Sequence, residues 1–122
     1  MLARANRVTR PDDFRAAVRR GRRFPTEHTV LHVLTAATTG PARFGFIVTK
    51  AVGGAVVRNT VKRRLRAVCH DVLPGVQSGT DIVIRALPGS DQVPWATLHS
   101  EIRGGLDRWG ADFSAQGRSV AP

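Results

Sequence analysis

An α+β fold is the prediction of this sequence, and three observations carry it. Three runs rich in β-branched residues, Thr29–Ala36 (TVLHVLTA), Arg43–Lys50 (RFGFIVTK) and Thr80–Leu87 (TDIVIRAL), lie near Gly- or Pro-bearing turn signals and read as strands. Three other stretches carry helix punctuation or a helical apolar period. The order, α-β-β-(β)-α-β-α, groups strands together, unlike a regular βαβ winding.

Residues 1–10 are a basic lead-in. Pro11-Asp12-Asp13-Phe14 starts a helix, because Pro is pre-set for the first turn and the carboxylates sit at the positive end of the dipole. It runs from about Asp12 to Arg20, with Phe14, Ala17 and Val18 on one side, and stops at Gly21. A short extra strand between Arg22 and Glu27 is left open. The first two runs, joined through Thr38-Thr39-Gly40-Pro41, read as a hairpin. Alternation along the second puts Phe44, Phe46 and Val48 on one face and Gly45, Ile47 and Thr49 on the other. Gly53-Gly54 then opens a helix from Ala55 to about Leu73, stopped by Pro74-Gly75. From Val93 to about Gly105 a last helix carries Trp95, Leu98, Ile102 and Leu106 as its apolar stripe. Trp95 and Trp109 read as packing residues. Residues 1–113 make one domain, with 114–122 a flexible C-terminal tail.

The charge narrows the function. The 122 residues hold 19 Lys+Arg against 9 Asp+Glu, a formal +10. Residues 1–66 carry 13 Arg and 2 Lys against 3 acids, a net of +12, and residues 67–122 carry 4 Arg against 6 acids, a net of −2. A cationic surface built by the first half favours a polyanion, since cations on phosphates release condensed counterions. One cysteine, Cys69, allows no intrachain disulfide and fits a reducing cytoplasm. The four histidines lack zinc spacing, and no apolar run approaches the roughly 20 residues of a membrane span. The start, MLARANRVTR, lacks the apolar region of a secretory signal.

The helix from Ala55 carries the chemistry. At about 100° per residue, Val57, Val61, Leu65, Val68 and Val72 fall within roughly 80° and must face the core. Arg58, Asn59, Lys62, Arg63 and Arg66 fall on the opposite sector, while Arg64 lies beside the apolar stripe and lays its stem over the core edge. Side chains at i and i+4 stand about 6 Å apart, near the phosphate repeat of a nucleic-acid strand. Asn59 adds a neutral donor and acceptor for a base edge or 2′-hydroxyl. No acid within the Ala55–Val68 stretch relieves the like-charge repulsion. An anion-binding face follows, with Lys50 at the preceding strand end joining it.

The string Lys50-Ala51-Val52-Gly53-Gly54-Ala55-Val56-Val57-Arg58-Asn59-Thr60-Val61-Lys62-Arg63-Arg64-Leu65-Arg66 resembles the signature of the bacterial ribonuclease P protein subunit. The resemblance extends to Asp13-Phe14 and to Asp81–Pro88, and covers about residues 5–110. Ala51, Gly54 and Thr60 depart from it, where the family often has Lys, Asn and Arg.

The resemblance implies a two-layer α/β sandwich with a left-handed βαβ crossover, contrary to the usual hand. It implies a protein cofactor of a catalytic RNA that removes the 5′ leader of precursor tRNA endonucleolytically. The RNA supplies the active site and binds the Mg²⁺ ions, so no catalytic or metal-binding residue is expected in the protein. The protein is expected to be cytoplasmic and a monomer within the ribonucleoprotein. RNA binding is assigned to Lys50, Arg58, Asn59, Lys62, Arg63 and Arg66. A leader cleft between the first helix and the sheet is assigned to Phe14, His32, Ile47 and Thr49. Phe14 and His32 also have plain structural readings, as a core aromatic and a strand histidine. Arg15, Arg19, Arg20, Arg22 and Arg23 form a second basic cluster, either RNA-facing or solvated. Arg85, within an apolar strand, is either buried with a partner or open to the cleft. A ribosomal or general RNA-binding protein of similar fold is the alternative, which the ordered helix string disfavours. A protein-only nuclease would need clustered carboxylates or a His pair, which the spacing of Asp71, Asp81 and Asp91 does not suggest.

Overall fold

The computed structural model of the chain describes residues 2–35 and 40–111. Three α-helices and four strands follow in the order α1 (Pro11–Arg20), β1 (Arg22–Pro25), β2 (Thr29–Thr35), β3 (Arg43–Ile47), α2 (Ala55–Val72), β4 (Thr80–Ala86) and α3 (Trp95–Trp109). The segment left open between Arg22 and Glu27 is β1, a strand preceding the other three. The expected tail, 114–122, lies outside the described residues, as does part of the turn before Gly40.

The strands form one mixed sheet in the order β1-β2-β4-β3. The expected hairpin of β2 with β3 is therefore corrected. β4 inserts between them, antiparallel to β2 and parallel to β3, and the antiparallel pair adjacent in sequence is β1 with β2. The apolar, β-branched β4 is buried at almost every position, which suits a central strand flanked on both edges. β3, α2 and β4 thus form a crossover between adjacent parallel strands.

The register sorts the two faces. One face carries the rows Phe24–Leu31–Ile84–Phe46 and Arg22–Val33–Ile82–Phe44. Its apolar members join α2 and α3 in the main core. The other face carries Arg23–His32–Val83–Gly45 and Pro25–Val30–Arg85–Ile47. α1 lies against this second face, with Ala17 fully buried and Phe14 over Gly45.

The last helix runs past its expected end. α3 continues through Gly104 and Gly105 to Trp109 and stops at Gly110, whose positive φ closes the turn with N–H bonds to the Leu106 and Asp107 carbonyls. A Cβ on Gly105 would stand 2.3 Å from Leu31 Cδ1, so this glycine lets the helix approach the sheet. Leu98, Ile102 and Leu106 are buried as expected, but Trp95 is 41% exposed and stacks on His99 rather than packing inward.

The lead-in is structured. Leu2 is fully buried, the Val8 N–H donates to the Phe44 carbonyl at 2.8 Å, and Asn6 Nδ2 donates to the Ala42 carbonyl at 2.8 Å. These bonds cover part of the open edge of β3.

Candidate nucleic-acid interface

The α2 stripe packs as its period requires. Val61, Leu65, Val68 and Val72 are fully buried, with Val57 packed against the core and Cys69 filling a further buried position. Burial pushes the Cys69 thiol well up, so it stays protonated and is a packing group. Fixing this stripe against the sheet turns the opposite sector outward. Asn59 and Arg63 are exposed, and Arg58, Lys62 and Arg66 are half-buried at the sector's inner edge. Among the described residues, none of these cations, nor Lys50, is paired with a carboxylate. Nε of Arg58 is buried without an acceptor, a donor the described fold leaves unmet. Arg64 behaves differently. It turns along the helix flank and donates from Nη1 to the carbonyls of Asp91 and Val93 at 3.3 and 3.4 Å.

Lys50 is exposed in the turn between β3 and α2, and Thr49 is exposed beside it. Thr49 lies past the end of β3, where its Oγ1 accepts from the Ala51 N–H at 3.4 Å. At Thr60, one of the departures, Oγ1 donates to the Val56 carbonyl at 3.1 Å and so stays on the helix backbone.

Between α1 and β3 a shallow cleft of about 220 Å³ is lined by Phe14, Arg15, Val18, Arg19 and Ile47. Phe14 and Ile47 are thus brought together as expected. His32 is not at the cleft surface: it is 6% exposed in the interior of the sheet, where its Nδ1 has no partner. Burial first, then Arg85 and Arg23, lowers its pKa and keeps the imidazole neutral. Arg85 is exposed on the sheet face that α1 partly covers, between Val30 and Ile47.

The second basic cluster divides. Arg15 and Arg19 line the cleft, and Arg15 also pairs with Asp12. Arg23 shares its sheet face with His32, but Arg22 lies on the other face, over the Phe24 ring at 5.1 Å. Arg20 is exposed at the end of α1.

Sequence reasoning missed what holds α1 in place. Arg43 binds Asp81 through Nε and Nη2 at 2.9 and 2.7 Å and reaches Asp13 through Nη1 at 3.4 Å. Asp13 thus both favours the helix start and ties it to the sheet. No sequence period joins these three positions.

Among the described residues, Glu27, His28 and Glu101 bring a ligand atom each within 4.8 Å of one another. Glu101 is already committed: Oε1 accepts from the Thr26 hydroxyl at 2.8 Å and the His28 N–H at 2.9 Å, and Oε2 lies 2.5 Å from His28 Nδ1. An imidazole with engaged carboxylate oxygens does not fit the octahedral oxygen shell that Mg²⁺ demands. No described helix is long and apolar enough to cross a membrane.

A family model described as Ribonuclease P matches residues 2–110. The ribonuclease P protein component of Clavibacter michiganensis subsp. michiganensis is 50% identical over 108 residues, covering 88% of this chain and 96% of that protein. The corresponding component of Streptomyces bikiniensis is 45% identical over 116 residues, covering 88% and 94%. The fold matches the Staphylococcus aureus RNase P protein with a TM-score of 0.80 at 20% identity, covering 89% of this chain and 99% of that one. It matches the Thermotoga maritima protein at 0.74 and 23%, covering 84% and 96%. With a match along nearly its whole length and relatives up to half identical, the chain belongs to the ribonuclease P protein family, whose role is in tRNA 5′ processing.

Proposed function

We propose that this chain docks the exposed sector of α2 on the catalytic RNA of ribonuclease P and holds the single-stranded 5′ leader of precursor tRNA in the cleft between α1 and β3. The carrying observation is the row of Arg58, Lys62, Arg63 and Arg66, which no carboxylate neutralises among the described residues. The cleft supports the second half of the proposal, because an aromatic ring and an apolar floor flanked by Arg15 and Arg19 suit an unpaired strand. In this reading the endonucleolytic step belongs to the RNA, where bound Mg²⁺ would supply the activation of water, and this chain contributes no metal ligand. The protein's own residues bind and orient. Their charge offsets phosphate repulsion that the RNA alone must screen with more Mg²⁺. The complex is cytoplasmic, with one copy of the chain.

A ribosomal or general RNA-binding role would use the same basic surface, but the family match over residues 2–110 favours the ribonuclease P reading. Reconstitution tests it. Protein added to ribonuclease P RNA and precursor tRNA at low Mg²⁺ is expected to yield 5′ cleavage that is absent without it. No stimulation at any protein concentration would contradict the proposal.

A further inference from the structure

Phe46 shares the sheet face of Phe44, as strand alternation requires, and packs against the edge of the core, but it is covered less completely. Phe44, two residues earlier on the same face, is fully buried, whereas Phe46 is half-exposed. Phe46 opens onto a groove of about 240 Å³ at the edge of β3, on the α2 side of Phe14. Val8 and Phe14 continue its apolar wall, and Arg7, Lys62 and Arg66 supply its cations. Among the described residues, no carboxylate lines it. The Arg7 guanidinium is held by the Leu2 carbonyl, through Nε at 3.3 Å and Nη2 at 3.0 Å. Lys62 and Arg66 are inner members of the α2 cationic sector, so the groove is continuous with that surface.

We infer that this groove is a pocket for one unstacked nucleotide of the RNA lying along α2, with its base against Phe46 and Phe14 and its phosphate on Lys62 and Arg66. The inference rests on the reading of α2 as the RNA-docking face. The volume falls below the roughly 300–1,000 Å³ of pockets for drug-sized ligands, and suits a single heterocycle better than an extended molecule. An aromatic wall accepts any base, because every base has a π face. Lys62 and Arg66 stand one helical turn apart, about 6 Å, and can flank one phosphate. The docked N-terminal segment builds one wall through Val8, so the pocket exists because that segment is seated on β3.

Titration of the full-length free protein with adenosine 5′-monophosphate, and separately with inorganic phosphate, tests this by backbone amide NMR. The nucleotide is expected to shift Val8 and Phe46 as well as Lys62 and Arg66 saturably, and phosphate to shift only the latter two. Identical patterns for the two probes, or nucleotide shifts confined to Ile47 and α1, would overturn the inference. So would an acidic peptide with an apolar side chain that shifts Val8 and Phe46 where the nucleotide does not, since that assigns the groove to a protein partner. In the reconstituted complex Phe46→Leu keeps apolar bulk and is expected to weaken RNA assembly by about 5- to 150-fold, the stacking of one base. The Asn59→Ala/Arg63→Ala variant changes residues outside the groove. Weakening by that pair but not by Phe46→Leu overturns the pocket and leaves the docking face standing, and weakening by neither overturns both.

Discussion

The Phe14 ring lies directly over Gly45: a Cβ on this glycine would stand 2.6 Å from the ring's Cε1 and 3.0 Å from the Val8 Cβ. The absence of a side chain in the middle of β3 is what seats the ring between the α1–β3 cleft and the β3-edge groove. Both lie against Phe14.

Gly45→Ala is therefore expected to displace the ring. Crowding at this site costs about 1–3 kcal/mol of stability. Affinity for precursor tRNA should fall by up to the stacking of one base, about 1–3 kcal/mol, while affinity for leaderless tRNA is unchanged. Parallel binding curves for the two RNAs check this, with a thermal melt to separate the stability cost.

The charge row sets the salt response. Contacts from Lys50, Arg58, Lys62, Arg63 and Arg66 imply a slope of about −3.5 to −4.5 in log K against log salt. Arg58→Ala/Arg66→Ala removes two of the five, so the slope should shrink by about 1.4–1.8. Affinity measured across a range of KCl concentrations reads both values.

Asp81 is nearly buried and depends on Arg43. Arg43→Leu leaves that carboxylate without its partner and is expected to cost about 3–5 kcal/mol. Replacing both, with Arg43→Leu/Asp81→Leu, should recover much of the loss. Urea denaturation of the three proteins measures it.

The His28–Glu101 pair ties α3 to the turn before β2 and makes stability depend on pH. The hydrogen bond that the His28 ring donates to the Glu101 carboxylate raises the His28 pKa against the opposing effect of burial, with the charges of Glu101 and Glu27 adding to it. Burial disfavours the Glu101 carboxylate, but bonds from the His28 ring and backbone and from the Thr26 hydroxyl outweigh it and hold the pKa below 4.5. The His28 contribution is fully present below about 6.5 and is lost as pH rises through its raised value. The Glu101 contribution is present above 4.5 and is lost as pH falls through its lowered value. The melting temperature should therefore decline on the alkaline side of 6.5, and Glu101→Gln should flatten that decline.

What could be read from the sequence was what a local period dictates. The α2 stripe and its cationic reverse follow from one helical repeat and one core, so Val61, Leu65 and Val68 fall inward as expected. Strand pairing does not obey a local period. Thr38-Thr39-Gly40-Pro41 carries ordinary turn chemistry, yet β4, more than thirty residues later, separates β2 from β3. β1 was ambiguous because two of its four residues are arginines, and its pairing with β2 decides it. His32 differs from Phe14 in burial, which its own residue type does not determine. The Arg43–Asp81–Asp13 clamp joins three elements and has no sequence signal.

The docking of α2 on RNA is tested most directly by precursor tRNA cleavage at limiting Mg²⁺, with ribonuclease P RNA and either the natural protein or its Arg58→Ala/Arg66→Ala variant. Both proteins are expected to melt alike, with the variant needing a markedly higher concentration to stimulate cleavage. Equal stimulation at equal concentration would place the RNA on some other surface of the molecule.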